Sequence, residues 1–371
     1  MDAMGDKSET EDELRTTGLV LSVIVPARNE ADVLGGCLES LLAQSEPGFA
    51  LGVEWELIVV DDASTDGTRA IAEAAAEKYG TGAAGAAGVR VVMAPVLDVS
   101  VQSGFTGKTN ACWAGAQEAE GALLLFTDAD TEHALGSLSR ARRELEKYEV
   151  AMLSYSPRQL TAGAVQRLAM PLIFAELAIA YPMQRVNAAG DRTAAANGQY
   201  LMVTAEDYFA VGGHRAVGRE VLEDVALANL FKRSKGGIRF RYAPDAVSAR
   251  MYRTTTAMME GWTKNLALLF ASPLGMAALR GLDLLLIVGI PVLALVYPFL
   301  TQLQRALLLV LWVRIVWRFY ARVAKSNFGF ADCALSVAGL PLFIVMLVKS
   351  YADVKVKKAV AWKGRVYRTG R

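Results

Sequence analysis

Gly121-Ala122-Leu123-Leu124-Leu125-Phe126-Thr127-Asp128-Ala129-Asp130 is the stretch that decides the fold class. The run up to Phe126 is apolar on both faces, the pattern of a strand covered on each side, and Thr127 marks where the chain leaves the core. Two carboxylates one residue apart follow at once. In an open α/β sheet, ligands gather outside the carboxyl ends of the strands. Asp128 and Asp130 have the chemistry of hard oxygen ligands for Mg²⁺ or Mn²⁺ bridging to a diphosphate. A solvated turn is the other reading of an isolated D-x-D.

Upstream, Trp55-Glu56-Leu57-Ile58-Val59-Val60 is a second buried strand, and it ends in Asp61-Asp62-Ala63-Ser64-Thr65-Asp66-Gly67-Thr68. That polar run supplies turn residues and an N-cap for a helix over Thr68–Tyr79. Val20-Leu21-Ser22-Val23-Ile24-Val25-Pro26 is another strand, opening into Ala27-Arg28-Asn29-Glu30. An amphipathic helix follows, with Val33, Leu34, Cys37, Leu38, Leu41 and Leu42 on one face. Val89–Met93 is a further strand. Alternation of strand and helix over these residues predicts an α/β, doubly wound, mostly parallel Rossmann-like sheet, with acidic residues at several strand carboxyl ends.

Eight motifs carry a resemblance. Val23-Ile24-Val25-Pro26-Ala27-Arg28-Asn29-Glu30, Val59-Val60-Asp61-Asp62-Ala63-Ser64-Thr65-Asp66-Gly67-Thr68, Thr127-Asp128-Ala129-Asp130 and Leu222-Glu223-Asp224 occur in the order seen in family 2 glycosyltransferases. Gly104-Phe105-Thr106-Gly107-Lys108-Thr109-Asn110-Ala111-Cys112 and Asn197-Gly198-Gln199-Tyr200 narrow it, as do Gly212-Gly213-His214 and Glu260-Gly261-Trp262-Thr263-Lys264-Asn265. Together they resemble the membrane-bound branch that glycosylates lipids, similar to hopanoid-associated, carotenoid-acid and ceramide-type enzymes. The resemblance implies a GT-A fold and an inverting, metal-dependent transfer of one sugar from a nucleotide diphosphate sugar, with UDP the expected nucleotide, to a lipid.

It also implies roles. Asp61 and Asp62 would contact the nucleoside, with Pro26, Arg28 and Glu30 on the neighbouring loop. Lys108 would reach the uracil or the phosphates as a point charge. Asp128 and Asp130 would hold the diphosphate through Mn²⁺ or Mg²⁺. Asp224 would be the general base. Glu223, Gly198, Gln199, His214 and Trp262 would lie on the acceptor side. Each has a plainer reading: Asp61 and Asp66 as turn or cap residues, Lys108 as a solvated lysine, Glu223-Asp224 as helix N-terminal acids. His214 reads equally as a structural turn residue, and Trp262 as packing at a membrane interface. With His133 and His214 the only histidines, a histidine metal site is not expected.

Processive members of the family carry Gln-x-x-Arg-Trp near the acceptor. The nearest register here, Met258-Met259-Glu260-Gly261-Trp262, keeps only the tryptophan. That favours one transfer over polymer synthesis. A processive polysaccharide synthase and a non-catalytic, membrane-anchored nucleotide-sugar-binding protein are the rival readings.

The chain of 371 residues is 53% hydrophobic with a mean hydropathy of +0.28, more apolar than one soluble domain requires. The expected organisation is a disordered acidic segment at 1–17 with no signal-peptide character, then a catalytic domain at 18–270, divided near 131 between nucleotide-sugar and acceptor halves. Membrane-inserted helices at 276–350 and a basic tail at 351–371 complete it. Residues 282–303 are uncharged except for Asp283 and long enough to cross about 30 Å of hydrocarbon. Residues 306–320 and 334–348 are shorter apolar candidates. The cationic tail and the cytosolic source of a nucleotide sugar both predict an inner-membrane protein with its catalytic domain facing the cytoplasm. Three crossings would put that tail on the wrong side, so either one segment re-enters, with that around Pro341 the candidate, or a fourth exists. Residues 168–181 read either as a helix lying on the membrane or as a core helix. Net charge of +1 offers no nucleic-acid footprint. Three widely spaced cysteines fit a reducing compartment without structural zinc.

Overall fold

The structure is a computed structural model that describes residues 18–44, 46–80, 88–97, 104–234, 237–357, 359–362 and 365–368. The expectation for residues 1–17 falls outside the described residues. The chain divides into two compact units, one of residues 1–157 and 186–249, the other of 158–185 and 250–371.

The first unit is built on a seven-stranded sheet of β1 (Leu21–Ala27), β2 (Trp55–Asp61), β3 (Val89–Met93), β4 (Leu123–Phe126), β5 (Met152–Ser156), β6 (Leu201–Thr204) and β7 (Ile238–Tyr242), in the order β3-β2-β1-β4-β6-β5-β7. Strands β3, β2, β1 and β4 are mutually parallel; β6 runs antiparallel between β4 and β5, and β7 is parallel to β5. Because β1, β2 and β4 are in parallel register, with Ala27 beside Asp61 and Ile24 beside Phe126, their carboxyl ends share one edge.

Both faces are covered. Leu34, Cys37, Leu38 and Leu41 of the helix Ala31–Leu42, with Leu138, Ala141 and Leu145 of the helix Ser137–Lys147, pack on Leu21, Val23, Leu57, Val59 and Leu125. On the other face the helix Gly107–Glu118 lies close because Gly115 has no side chain: a Cβ there would come 2.6 Å from Ile24 Cγ2 and 2.8 Å from Val60 Cγ2. This close approach fixes the start of that helix, and with it Lys108. One charge breaks the apolar pattern of β2. Glu56, fully buried, accepts from Ser22 Oγ at 2.6 Å and pairs with Arg90 at 2.6 Å, so the buried carboxylate is compensated.

The second unit is helical: Ala164–Ala180, Thr255–Leu269, Pro273–Val296, Gln302–Val323 and Leu340–Tyr351. Its core holds Ile173, Met258, Trp262, Leu266, Leu340, Phe343, Met346 and Leu347. The stretch 168–181 is here a core helix, with Ala169 to Glu176 buried despite Pro171 inside it. Of the apolar segments, Pro273–Val296 and Phe330–Val356 are long and apolar enough to cross a membrane by length and composition. The first starts earlier than residue 282, runs through Pro291 and ends at Val296, where Tyr297, the residue before Pro298, takes up extended backbone.

Candidate active site

Two loops leave the shared strand edge and clasp one another. Arg28 Nη1 donates to the carbonyl of Asp62 at 2.7 Å and lies 3.6 Å from its carboxylate. The amide of Glu30 donates to Thr68 Oγ1 at 2.8 Å, and that of Thr65 to Asn29 Oδ1 at 2.8 Å. Asn29 and Ala63 both take φ of +53°, a conformation that costs a non-glycine residue energy and that these cross-loop bonds maintain. Asp66 accepts from the amides of Thr68 and Ala31, bracing the starts of two helices. Asp61, at the end of β2, is buried and accepts from the amide of Ser64; Asp62 is buried beside it.

The D-x-D turn is set by threonines. Thr131 Oγ1 donates to the carbonyl of Asp128 at 2.7 Å, and Thr127 Oγ1 to the carbonyl of Gln199 at 2.8 Å. His133 Nε2 lies 3.1–3.2 Å from both hydroxyls. Burial depresses His133 to about 3, so it stays neutral and can serve either hydroxyl. Thr106 and Thr109 form a capping box that starts the helix carrying Lys108, and Thr109 Oγ1 also donates to the carbonyl of Gly218 at 2.6 Å.

A pocket at this edge is lined by Pro26, Lys108, Cys112, Phe126, Thr127, Asp128, Gly198, Leu201, His214, Glu223 and Asp224. At its centre Lys108 Nζ sits 2.7 Å from Asp128 Oδ1 and 3.0 Å from Glu223 Oε1. Burial works against the ammonium, but these two carboxylates outweigh it and hold Lys108 well above an ordinary lysine. Asp224 accepts from the amides of Gly198 at 2.9 Å and Val225 at 2.8 Å. Burial and the neighbouring Glu223 charge raise it to about 6, against the opposing pull of Lys108. An aspartate ionised near neutrality, but far more basic than usual, is suited to accept a proton. A Cβ on Gly198 would lie 3.0 Å from Lys108 Nζ and 3.4 Å from Glu223 Oε1, so the cluster uses the space a side chain would fill.

Seven of the residues marked by sequence thus line one pocket: Pro26, Lys108, Asp128, Gly198, His214, Glu223 and Asp224. His214 is buried, its Nδ1 2.8 Å from Tyr208 Oη, and burial lowers it to about 4. Arg28, Glu30, Asp61 and Asp62 belong to the clasped loops beside it, and Gln199 is buried and meets Thr127 through its carbonyl. Trp262 is in the second unit, buried, with its indole Nε1 3.1 Å from Met170 Sδ. At the register of the processive motif, Met258 is fully buried and a side chain at Gly261 would collide with Tyr252. Thr127, Cys112, Phe126 and Leu201 also line the pocket without having been singled out. Only Thr127 had a signal, as the first polar residue after the strand. Among the described residues no three His, Cys, Asp or Glu side chains gather as a ready-made metal cage. Two carboxylates, Asp128 and Asp130, still make a donor set that suits Mg²⁺ or Mn²⁺ when phosphate and water complete the shell.

A mixed, parallel-dominated sheet with polar residues converging on the carboxyl edge is the architecture of a GT-A fold. The fold is like that of a mannosyltransferase from Pyrobaculum calidifontis solved with GDP-Man and Mn²⁺, at TM-score 0.50 and 17% identity over 91% of this chain and 87% of that one. Residues 22–167 match the family described as glycosyl transferase family 2. The chain is a glycosyltransferase, and residues 22–167 are the part of it similar to that family. Over 363 residues it is 27% identical to a 4,4'-diaponeurosporenoate glycosyltransferase of Staphylococcus haemolyticus (strain JCSC1435), covering 94% of this chain and 88% of the relative. The enzyme of that name from Staphylococcus aureus (strain MRSA252) is 28% identical over 256 residues, 67% of this chain and 60% of the relative's length.

Proposed function

We propose that this protein transfers one sugar from a nucleotide diphosphate sugar, with UDP the favoured nucleotide, to a lipid hydroxyl or carboxylate, inverting the anomeric centre. The observation that carries this reading is the convergence of Asp128, Lys108, Glu223 and Asp224 in one pocket at the strand carboxyl edge. With a hydroxyl acceptor, Asp224 would take the proton of the acceptor oxygen as that oxygen bonds to the anomeric carbon; a carboxylate acceptor attacks as the anion and brings no proton to remove. The bond from the anomeric carbon to the diphosphate oxygen breaks, and the nucleoside diphosphate leaves with the electron pair. One displacement suffices, and no sugar–enzyme bond forms.

Arg28, Glu30, Asp61 and Asp62 would hold the nucleoside. Lys108 would offset diphosphate charge once it exchanges one of its carboxylate partners for a phosphate oxygen. Mn²⁺ or Mg²⁺, held by Asp128 and Asp130, would supply Lewis-acid stabilisation of the leaving diphosphate. A lipid acceptor is supported by the name of the Staphylococcus relatives and by the apolar helices of the second unit. The same helices support an integral membrane protein, and the cationic tail with the cytosolic source of the donor favours the inner membrane with catalysis on its cytoplasmic side.

The test uses membranes containing the wild-type chain or the Asp224→Asn variant, with labelled nucleotide sugars supplied singly with Mn²⁺ or Mg²⁺. Label extractable into organic solvent from wild type, reduced about 10²- to 10⁴-fold in the variant with donor binding retained, is the expected result. Label confined to insoluble polymer, or equal label from both chains, would overturn the proposal.

A further inference from the structure

We infer that Pro273–Val296 and Gln302–Val323 enter the hydrocarbon together as one hairpin, crossing and returning, while Phe330–Val356 stays with the protein and does not cross. The inference rests on the membrane reading above and goes beyond it by fixing the number of crossings.

The first helix has inverted polarity. Leu274, Leu279, Leu282, Leu285, Val288, Val292, Leu293, Leu295 and Val296 are exposed, while its two charges turn inward. Arg280 pairs with Glu176 at 3.1 Å and with Asp283 at 3.0 Å, and Asp283 pairs with Arg322 at 3.1 Å. An apolar outside around paired charges is the arrangement hydrocarbon demands and water penalises. At 24 residues this helix is about 36 Å long, enough to span about 30 Å of hydrocarbon.

Its partner fails a simple hydropathy test because it carries Arg305, Arg314, Arg318 and Arg322. Packing overrides that test. Trp312 Nε1 donates to the carbonyl of Ile287 at 2.8 Å, which fixes an antiparallel pair and satisfies the indole. Apart from Phe319 and Val323 no residue of the helix is buried, and Leu303, Leu307, Leu309, Val310, Leu311 and Val313 are exposed. Arg322 is paired inward, and Arg318, little more than a turn from the base, can carry its charge to the headgroups on a long stem; Arg314, exposed near mid-helix, is the one charge this arrangement leaves in the apolar stretch. Between the helices, Tyr297 and Phe299 are exposed at the turn, with ring centroids 5.9 Å apart, as residues of an interfacial belt are.

The third apolar stretch is committed elsewhere. Leu340, Phe343, Met346 and Leu347 are fully buried in the helical unit, and Ser350 Oγ accepts from the amide of Ala267 at 2.8 Å. Its helical run is long enough to span, so the burial of this face, and not length, is what ties it to the protein. With two crossings rather than three, the chain before Pro273 and after Val323 lies on one side. That side holds Lys325, Lys349, Lys355 and Lys357, whereas the far end of the hairpin holds only Arg305, in the first turn of the second helix, so the cationic bias makes it the cytoplasmic one. The conflict between three apolar segments and a cationic tail disappears.

The test places single cysteines in the full chain on a Cys333→Ser background, leaving the buried Cys37 and Cys112: Thr301→Cys at the turn, Lys325→Cys at the base and Lys357→Cys in the tail. Oriented vesicles are treated with a membrane-impermeant maleimide. Reaction of T301C only in right-side-out vesicles, and of K325C and K357C only in inside-out vesicles, is expected. Reaction of K325C and K357C on opposite faces would overturn the inference, because Phe330–Val356 would then cross. So would T301C reacting on the face of K325C, or only after detergent, because the hairpin would not cross. Carbonate extraction is run on the same membranes: release of the protein refutes the membrane reading itself, whereas retention with a wrong labelling pattern refutes only the hairpin.

Discussion

Replacing Lys108 with methionine tests the centre of the proposed site, because it removes one charge and little volume. The ammonium lies 2.7 Å from Asp128 and 3.0 Å from Glu223. At an effective dielectric constant of about 20, each contact is worth about 5–6 kcal/mol of gross attraction. Most of that is offset by desolvation, and the Lys108 and Asp128 side chains are 35% and 28% exposed, which screens it further. A net loss of about 2 kcal/mol remains, equivalent to about 1.5 pH units on the carboxyl cluster. Lys108 also pulls Asp224 downward, so without it the pKa climbs from about 6 to above 7. The ionised fraction of Asp224 at pH 7 then falls from about nine-tenths to about a quarter. The assay is kcat/KM against pH. K108M should move the acidic limb upward by about one to two pH units and lose at least about fourfold at pH 7, with part of that loss regained toward pH 9. A limb that stays put, with donor affinity unchanged, would refute this account of the lysine.

Other expectations follow from single contacts. In the wild type only the Asp224 carboxylate can accept a proton, so kcat/KM should fall as pH drops through about 6, and D224N should lack that limb. Because the folded pKa lies above the ordinary value of 3.8, the native state retains a proton in the window from about 4 to 6. Stability from this group is therefore present at low pH and lost as pH rises through that window, a dependence D224N should abolish in thermal melts. Gly198→Ala should cost about tenfold in kcat with little change in melting temperature, since the new Cβ displaces the Lys108 ammonium from 3.0 Å without removing any charge. Gly115→Ala should do the reverse, destabilising by about 1–3 kcal/mol through collision with Ile24 and Val60, measured by denaturant or thermal unfolding. Asp66→Ala should cost about 1–2 kcal/mol, because it strips an acceptor from the starts of two helices.

The sequence by itself determined the parallel strands and the edge where the site forms. Period and turn chemistry are local properties, so β3 and the helix Thr68–Tyr79 begin and end where residue types change. Asp61, Asp62, Asp128 and Asp130 could be marked as strand-end acids for the same reason. What the sequence left undecided were matters of distance and company. Lys108 and Glu223 are over a hundred residues apart, and only the docking of the Gly107–Glu118 helix through Gly115 brings their side chains within 3.0 Å. Glu56 sits inside an otherwise apolar strand that periodicity alone would call uncharged, and its tolerance depends on Ser22 and Arg90, both 34 residues away. Hydropathy likewise ranks Phe330–Val356 as a span and passes over Gln302–Val323, because it counts composition along one helix. Which apolar residues face protein and which face outward is a property of helix pairing, and burial of Leu340, Phe343, Met346 and Leu347 against neighbours distant in the chain decides it.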